Sequence, residues 1–218
     1  MKKICFLLVL FLCPFCVFAI DLASNAKSAI IIEPTTGKII FEKNSNERLE
    51  PASMTKIMTL LLTFEAIDNG RVSLDDMVNI SKRAEDMGGS QMFLEAGSNI
   101  RLEEIIKGVS IASANDGAIA LAEFIGGSVE NFVDMMNKKV EDLGLSNTHF
   151  ANPHGLHADN HYSSAYDMAI MASNLISHEK VLNYTSIYED YFNKPDGSRT
   201  WLVNTNKVVY KFYNNRLL

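Results

Sequence analysis

The chain has 218 residues, 20 Lys and Arg against 26 Asp and Glu, a net charge of −6 and 47% apolar residues. An acidic balance excludes a general nucleic-acid binder, which needs a surplus of cations to neutralise phosphates. All three cysteines, Cys5, Cys13 and Cys16, lie at the start of the chain, so the rest can use neither a disulfide framework nor thiolate chemistry.

Residues 1–19, MKKICFLLVLFLCPFCVFA, open with Lys2 and Lys3, continue with an apolar run and close on Val17-Phe18-Ala19. This is the pattern of a secretory signal peptide cleaved near Ala19. A retained anchor is the alternative, although the run is shorter than the roughly 20 residues that span a bilayer. Leu10-Phe11-Leu12 before Cys13 is too bulky for a lipoprotein signal. Without the two lysines the charge becomes −8, and residues 20–218 read as one exported, acidic domain.

The stretch SAIIIEPTTGKIIFEK, residues 28–43, sets two β-branched runs around Thr35-Thr36-Gly37 and predicts a hairpin. Met54–Ile67 is apolar nearly all round and predicts a buried central helix, stopped by Asn69-Gly70. The polar segment Ser81–Gly97 reads as loop and short strand, and helical spacing returns at Arg101–Lys107. A helix over Asp116–Ile125 closes at Gly126-Gly127. Ser128 caps another over Val129–Leu143 that Gly144 ends, and Ser164 with Asp167 opens one over Tyr166–Ile176. From Tyr184 the chain turns strand-like, with Pro195-Asp196-Gly197 as a turn.

Serine becomes a nucleophile only when a neighbour takes its proton, and a lysine three residues on lies on the same helix face. Such a lysine must be neutral, which requires burial to lower its pKa. The S-x-x-K pattern occurs three times, at Ser24/Lys27, Ser53/Lys56 and Ser177/Lys180, so spacing alone selects none of them. Ser53 differs in following a proline at the start of a buried helix, where free amides and the dipole favour developing negative charge. A second feature is Ser113-Ala114-Asn115, a hydroxyl and an amide at a tight corner between two helices. It can equally be a structural cap.

P-A-S-M-T-K at 51–56 with S-A-N at 113–115 resembles the penicillin-binding D-alanyl-D-alanine carboxypeptidases. The likeness extends through IIIEPTTGKIIFEKN, GSNIRLEEIIKGVSIASANDGAIALAE and NTHFANPHGL, over roughly 27–213. It implies an α+β fold of the β-lactamase and DD-peptidase kind, a helical block against an antiparallel sheet. It also implies Ser53 as acylated nucleophile, Lys56 as general base, Ser113 as proton relay and Asn115 as a contact to substrate and Lys56. The implied substrates are peptidoglycan stem peptides and the implied covalent inhibitors β-lactams, with no cofactor and no metal; oligomeric state stays open.

The family's third motif, K-T-G, occurs nowhere in the sequence, and Thr36-Gly37-Lys38 has the wrong order and place. The likeness runs to Asn214, and Asn215-Arg216-Leu217-Leu218 follows where K-T-G would be near. Residues 20–218 are therefore expected to be an incomplete, N-terminal part of the catalytic domain, with C-terminal strands missing and sheet edges unpaired. Such a loss can exceed the roughly 5 to 15 kcal/mol by which domains are stable, leaving the chain alone unstable or inactive, as from an interrupted reading frame.

Three rivals remain. Glu179-Lys-Val-Leu-Asn183 spells the E-x-x-L-N of a class A β-lactamase. His154, His157, Asp159 and His161 have spacing that could gather a metal, though on a loop without an H-E-x-x-H base. The third is an inert fragment that merely holds peptidoglycan or penicillin. The methionines, including Met54, Met58, Met135 and Met136, read as core filling, as do Tyr188, Tyr191, Phe192 and Trp201.

Overall fold

The computed structural model describes residues 22–210. The segment read as a signal peptide lies outside them, as do residues 211–218. The predicted hairpin forms as β1 (Ala29–Ile32) and β2 (Ile39–Lys43), antiparallel with a register slip between Ile31 and Ile32. The turn holds because the Glu33 carboxylate accepts from the Thr35 and Thr36 amides and the Thr36 hydroxyl, at 3.1, 2.6 and 2.6 Å. Gly37 then takes φ +70°, a conformation costly for residues with a Cβ.

The central helix enters through a tighter 3-10 turn, Ala52–Thr55, so α1 covers Lys56–Asp68 and begins two residues later than the pattern predicts. Its Met58, Leu61 and Phe64 are fully buried, and it packs on α4 (Asn115–Gly126) and α6 (Ala165–Ile176). Thr63 stays inside because its hydroxyl donates to the Thr59 carbonyl at 2.8 Å, satisfying what would otherwise be a costly buried polar group.

The segment read as loop and short strand behaves differently. It begins as a single helical turn, α2 (Lys82–Glu85), and the strands lie at its borders, β3 (Met77–Asn79) pairing with β4 (Asn99–Arg101). Between them the chain is held by contacts to other elements, which periodicity cannot report. The helices α4 and α5 (Val129–Asp142) match expectation closely, while α3 (Leu102–Ala112) starts where expected and runs five residues past Lys107. Ser128 and Ser164 cap α5 and α6 as expected, each accepting the amide three residues on at 3.1 Å.

One helix was not anticipated. α7 (Val181–Thr185) takes Tyr184 into the core, where its ring lies 6.0 Å from that of Phe64. Strand begins only at β5 (Glu189–Asn193), which pairs with β6 (Arg199–Val203) across the predicted turn. Among the described residues the antiparallel strands form three separate two-stranded sheets around the helices.

A single connected core joins residues from α1 and β3 through to β6. Three core assignments need correction. Met58 and Met136 are fully buried, but Met54 is 53% exposed, because the 3-10 turn points it outward. Phe192 and Leu202 face the core, whereas the alternation of a strand turns Tyr191 and Trp201 to the solvent.

Candidate active site

Ser53 sits exposed in the 3-10 turn, and Lys56 opens α1 beneath it with only 4% of its surface accessible. The Lys56 Nζ lies 3.3 Å from Ser53 Oγ, 2.8 Å from Asn115 Oδ1 and 2.6 Å from the carbonyl oxygen of His154. Three acceptors match the three protons of an ammonium. A neutral amine keeps two protons, enough for the two short contacts to Asn115 and His154, and its lone pair then faces the Ser53 hydroxyl. The arrangement can therefore take a proton from Ser53 without moving the lysine.

Charge supports the same chemistry. Burial lowers the Lys56 pKa from 10.5 to about 8, against the opposing pull of the Asp116 carboxylate. At pH 7 about one lysine in ten is then neutral, several hundred times more than for an ordinary lysine. His154 is kept neutral by burial and by the Lys56 charge, its pKa lowered to about 4.

The loop 152–156 is a strut under this pair. Asn152 folds it, its Oδ1 accepting from the His154 and Gly155 amides at 3.2 and 2.7 Å while its Nδ2 donates to Leu156 O at 2.8 Å. The Thr59 hydroxyl of α1 donates to Pro153 O at 2.6 Å. Gly155 has no alternative: a Cβ there would lie 1.8 Å from the Ala52 carbonyl oxygen. Ala52 itself adopts φ +47°, a left-handed conformation that costs about 1 to 3 kcal/mol, immediately before Ser53.

Asn115 is oriented from three sides. Its Oδ1 accepts from Lys56, its Nδ2 donates to Gly88 O at 2.8 Å, and its amide donates to Ser90 O at 2.7 Å. The backbone at Gly89 approaches so closely that a Cβ would lie 2.7 Å from Asn115 Nδ2. Ser113 caps α3 in the left-handed region at φ +57° and ψ +39°. Among the described residues, no hydrogen bond joins its hydroxyl to Ser53 or Lys56. The structure thus gathers Ser53, Lys56 and Asn115 and leaves Ser113 at their corner.

Of the other S-x-x-K serines, Ser177 donates to Asn174 O at 2.6 Å at the end of α6. The histidines read as a possible metal cluster are occupied separately. His154 Nδ1 accepts from the Leu156 amide at 3.1 Å, and His157 Nδ1 pairs with Glu50 at 2.8 Å. His161 Nδ1 accepts from the Ala151 amide at 3.0 Å, which leaves its Nε2 proton to donate to the Thr55 hydroxyl at 2.8 Å. Among the described residues no three His, Cys, Asp or Glu side chains are grouped to hold a metal. Glu179 follows α6 beside His178, which bonds Asp68 at the far end of α1. Thirteen helical residues put that end about 20 Å from Ser53, too far to activate a water there.

Sequence reasoning missed the His154 carbonyl, the Gly88 carbonyl and Asp116. Backbone oxygens carry no signal in residue type, and Asp116 read only as the start of a helix. The glycines at 88, 89 and 155 were the available hint, since glycine often marks close backbone approach.

Comparison with known proteins gives the family. A family model described as D-alanyl-D-alanine carboxypeptidase matches residues 18–217. D-alanyl-D-alanine carboxypeptidase DacF of Bacillus subtilis is 55% identical over 193 residues, 88% of this chain and 49% of that protein. DacA of Escherichia coli is 40% identical over 172 residues, 76% of this chain and 42% of that protein. Penicillin binding protein 5 from Haemophilus influenzae superposes with a TM-score of 0.80 at 35% identity, covering 86% of this chain and 54% of that one. The chain spans about half the length of the curated relatives it matches. With the match running over nearly all of its length, and the buried lysine and its serine placed as described, the chain belongs to the D-alanyl-D-alanine carboxypeptidase family.

Proposed function

We propose that the site performs serine acyl transfer on peptides ending in D-Ala-D-Ala, trimming the terminal D-alanine of peptidoglycan stem peptides. The observation that carries this is the buried Lys56 amine, 3.3 Å from Ser53 Oγ and lowered to about 8. Neutral Lys56 takes the Ser53 proton, and Oγ attacks the carbonyl of the penultimate D-alanine. The C–N bond breaks, the proton passes through Ser113 to the departing D-alanine nitrogen, and an ester remains on Ser53. Water, deprotonated by the same amine, hydrolyses that ester, returning the proton to Ser53. Asn115 holds the substrate amide and fixes Lys56. β-Lactams enter the same path and stay as an ester on Ser53, because their amine leaving group remains tethered. The reaction takes place outside the cytoplasmic membrane, reached through the signal peptide of residues 1–19. Among the described residues no helix is long and apolar enough to cross a membrane.

Intact mass after incubation with benzylpenicillin tests the site. The expected result is a one-to-one adduct that Ser53→Ala abolishes; a folded chain without an adduct overturns the proposal. Release of D-alanine from a synthetic acyl-D-Ala-D-Ala peptide then separates turnover from mere acylation.

A further inference from the structure

Beside the acylation residues lies an acidic group that the acyl-transfer chemistry does not use. Asp116, the second residue of α4, is 1% exposed. Its Oδ1 accepts from the Met92 amide at 3.1 Å and the Gly117 amide at 2.8 Å, and its Oδ2 from the Leu94 amide at 3.0 Å. Among the described residues it has no salt-bridge partner, although a buried carboxylate without a nearby cation is costly. A positive charge is held by the residue before it, and the Asp116 charge acts on it. Asn115, one residue earlier, holds the Lys56 ammonium at 2.8 Å.

Two of these three amides, those of Met92 and Leu94, flank Phe93, whose φ of +63° lies in the left-handed region. Upstream in the same segment, Gly88 and Ser90 offer the carbonyls that orient Asn115. One carboxylate therefore pins the wall of the cleft from below while its neighbour in sequence is gripped by that wall from the side.

We infer that Asp116 is a positioning residue of the acylation site: it ties the 88–94 wall to α4 and supplies the counter-charge against which Lys56 exchanges its proton. Its catalytic consequence rests on the acyl-transfer reading above. The titratable groups around Lys56 are Asp116 from α4 and His154 from the 152–156 strut, with His161 and Arg83 beyond His154. His154 is already neutral well below the range in which Lys56 titrates, so the Asp116 charge is the neighbour that opposes loss of the lysine proton there. Deleting that charge leaves burial unopposed, and Lys56 releases its proton at lower pH.

The test uses the full chain labelled with 13C at lysine Cε. The Lys56 resonance is identified by its absence from Lys56→Arg and titrated from pH 6 to 11. In Asp116→Asn the Lys56 midpoint moves to lower pH, and the Met92 and Leu94 amides exchange at least about tenfold faster, as expected for lost hydrogen bonds to a charged group. Asp116→Glu, which keeps the charge but not the length, leaves the midpoint near that of the wild type. A midpoint unmoved in Asp116→Asn, or moved equally in Asp116→Glu, overturns the inference. Should Asp116→Asn not fold, the wild-type chain decides: Met92 and Leu94 must exchange more slowly than Phe93 and Glu95, and equal rates overturn it. None of these readings needs penicillin or peptide. A chain that titrates as expected but is never acylated removes the acyl-transfer reading alone.

Discussion

The helical block and the first hairpin bury their apolar residues to opposite extents. In α1, α3 and α4, Leu61, Phe64, Ile105, Ile111 and Leu121 are essentially inaccessible, whereas Ile31, Ile39 and Ile40 of the β1–β2 hairpin stand open. Both segments are rich in apolar residues, yet only one has partners on every side. Burial of a large aliphatic or aromatic side chain stabilises by about 1.5 to 3 kcal/mol, so the stability of the described fold resides in the helices. The candidate site shares that division: Lys56, Asn115 and Asp116 grow from the helical block, and none of the three is borne by the hairpin.

This contrast can be broken by substitution, beginning with the largest effect. Phe64→Ala, in the centre of α1, should destabilise by about 3 to 5 kcal/mol in thermal or denaturant unfolding. A loss near zero would mean that the helical core is not what holds the fold. Gly155→Ala comes next. Its Cβ meets the Ala52 carbonyl, so either the strut or the turn that carries Ser53 must shift, at a cost of about 1 to 3 kcal/mol. Its penicillin acylation should fall much further than that of Gly37→Ala, whose Cβ would meet nothing.

Smaller effects follow from charge. Below about pH 8 the acylation rate should drop roughly tenfold per unit as Lys56 becomes protonated, and a rate flat from pH 6 to 9 would remove Lys56 as the base. His154 adds an acid dependence of opposite origin. Its folded pKa is about 4 against 6.5 in the unfolded chain, so between these values only the unfolded state takes the proton. The stability from this group is therefore complete above pH 6.5 and falls as pH drops towards 4. The decline in melting temperature over that window should be shallower in His154→Gln. At the weak end, Ile40→Thr on the open hairpin face should change stability by no more than about 0.5 kcal/mol. A large loss there would show that the hairpin face is covered in solution.

Much of the fold was legible from residue order. The serines at 128 and 164 mark helix starts because a hydroxyl can satisfy an amide that the helix leaves free, and this depends on the neighbouring three residues only. The segment 86–97 was not legible, since its shape comes from Asp116 and Asn115, about 20 to 30 positions away. Likewise α7 is too short for periodicity and is held by Tyr184 against Phe64 and Glu103. The strand character of β5 and β6 was visible, but which face meets the core depends on what packs beneath it.

The sequence by itself determined that a serine and a lysine share a helix entrance, that a Ser-x-Asn corner follows, and which family those motifs resemble. Three S-x-x-K pairs were equal in spacing, and local chemistry could not make any lysine a base. Only the tertiary structure sets one of them apart, by burying Lys56 beside the Asn115 amide and the His154 carbonyl so that its pKa falls against the pull of the Asp116 charge. A lysine pKa is set by the solvent removed and the charges brought near, and both come from residues distant in sequence.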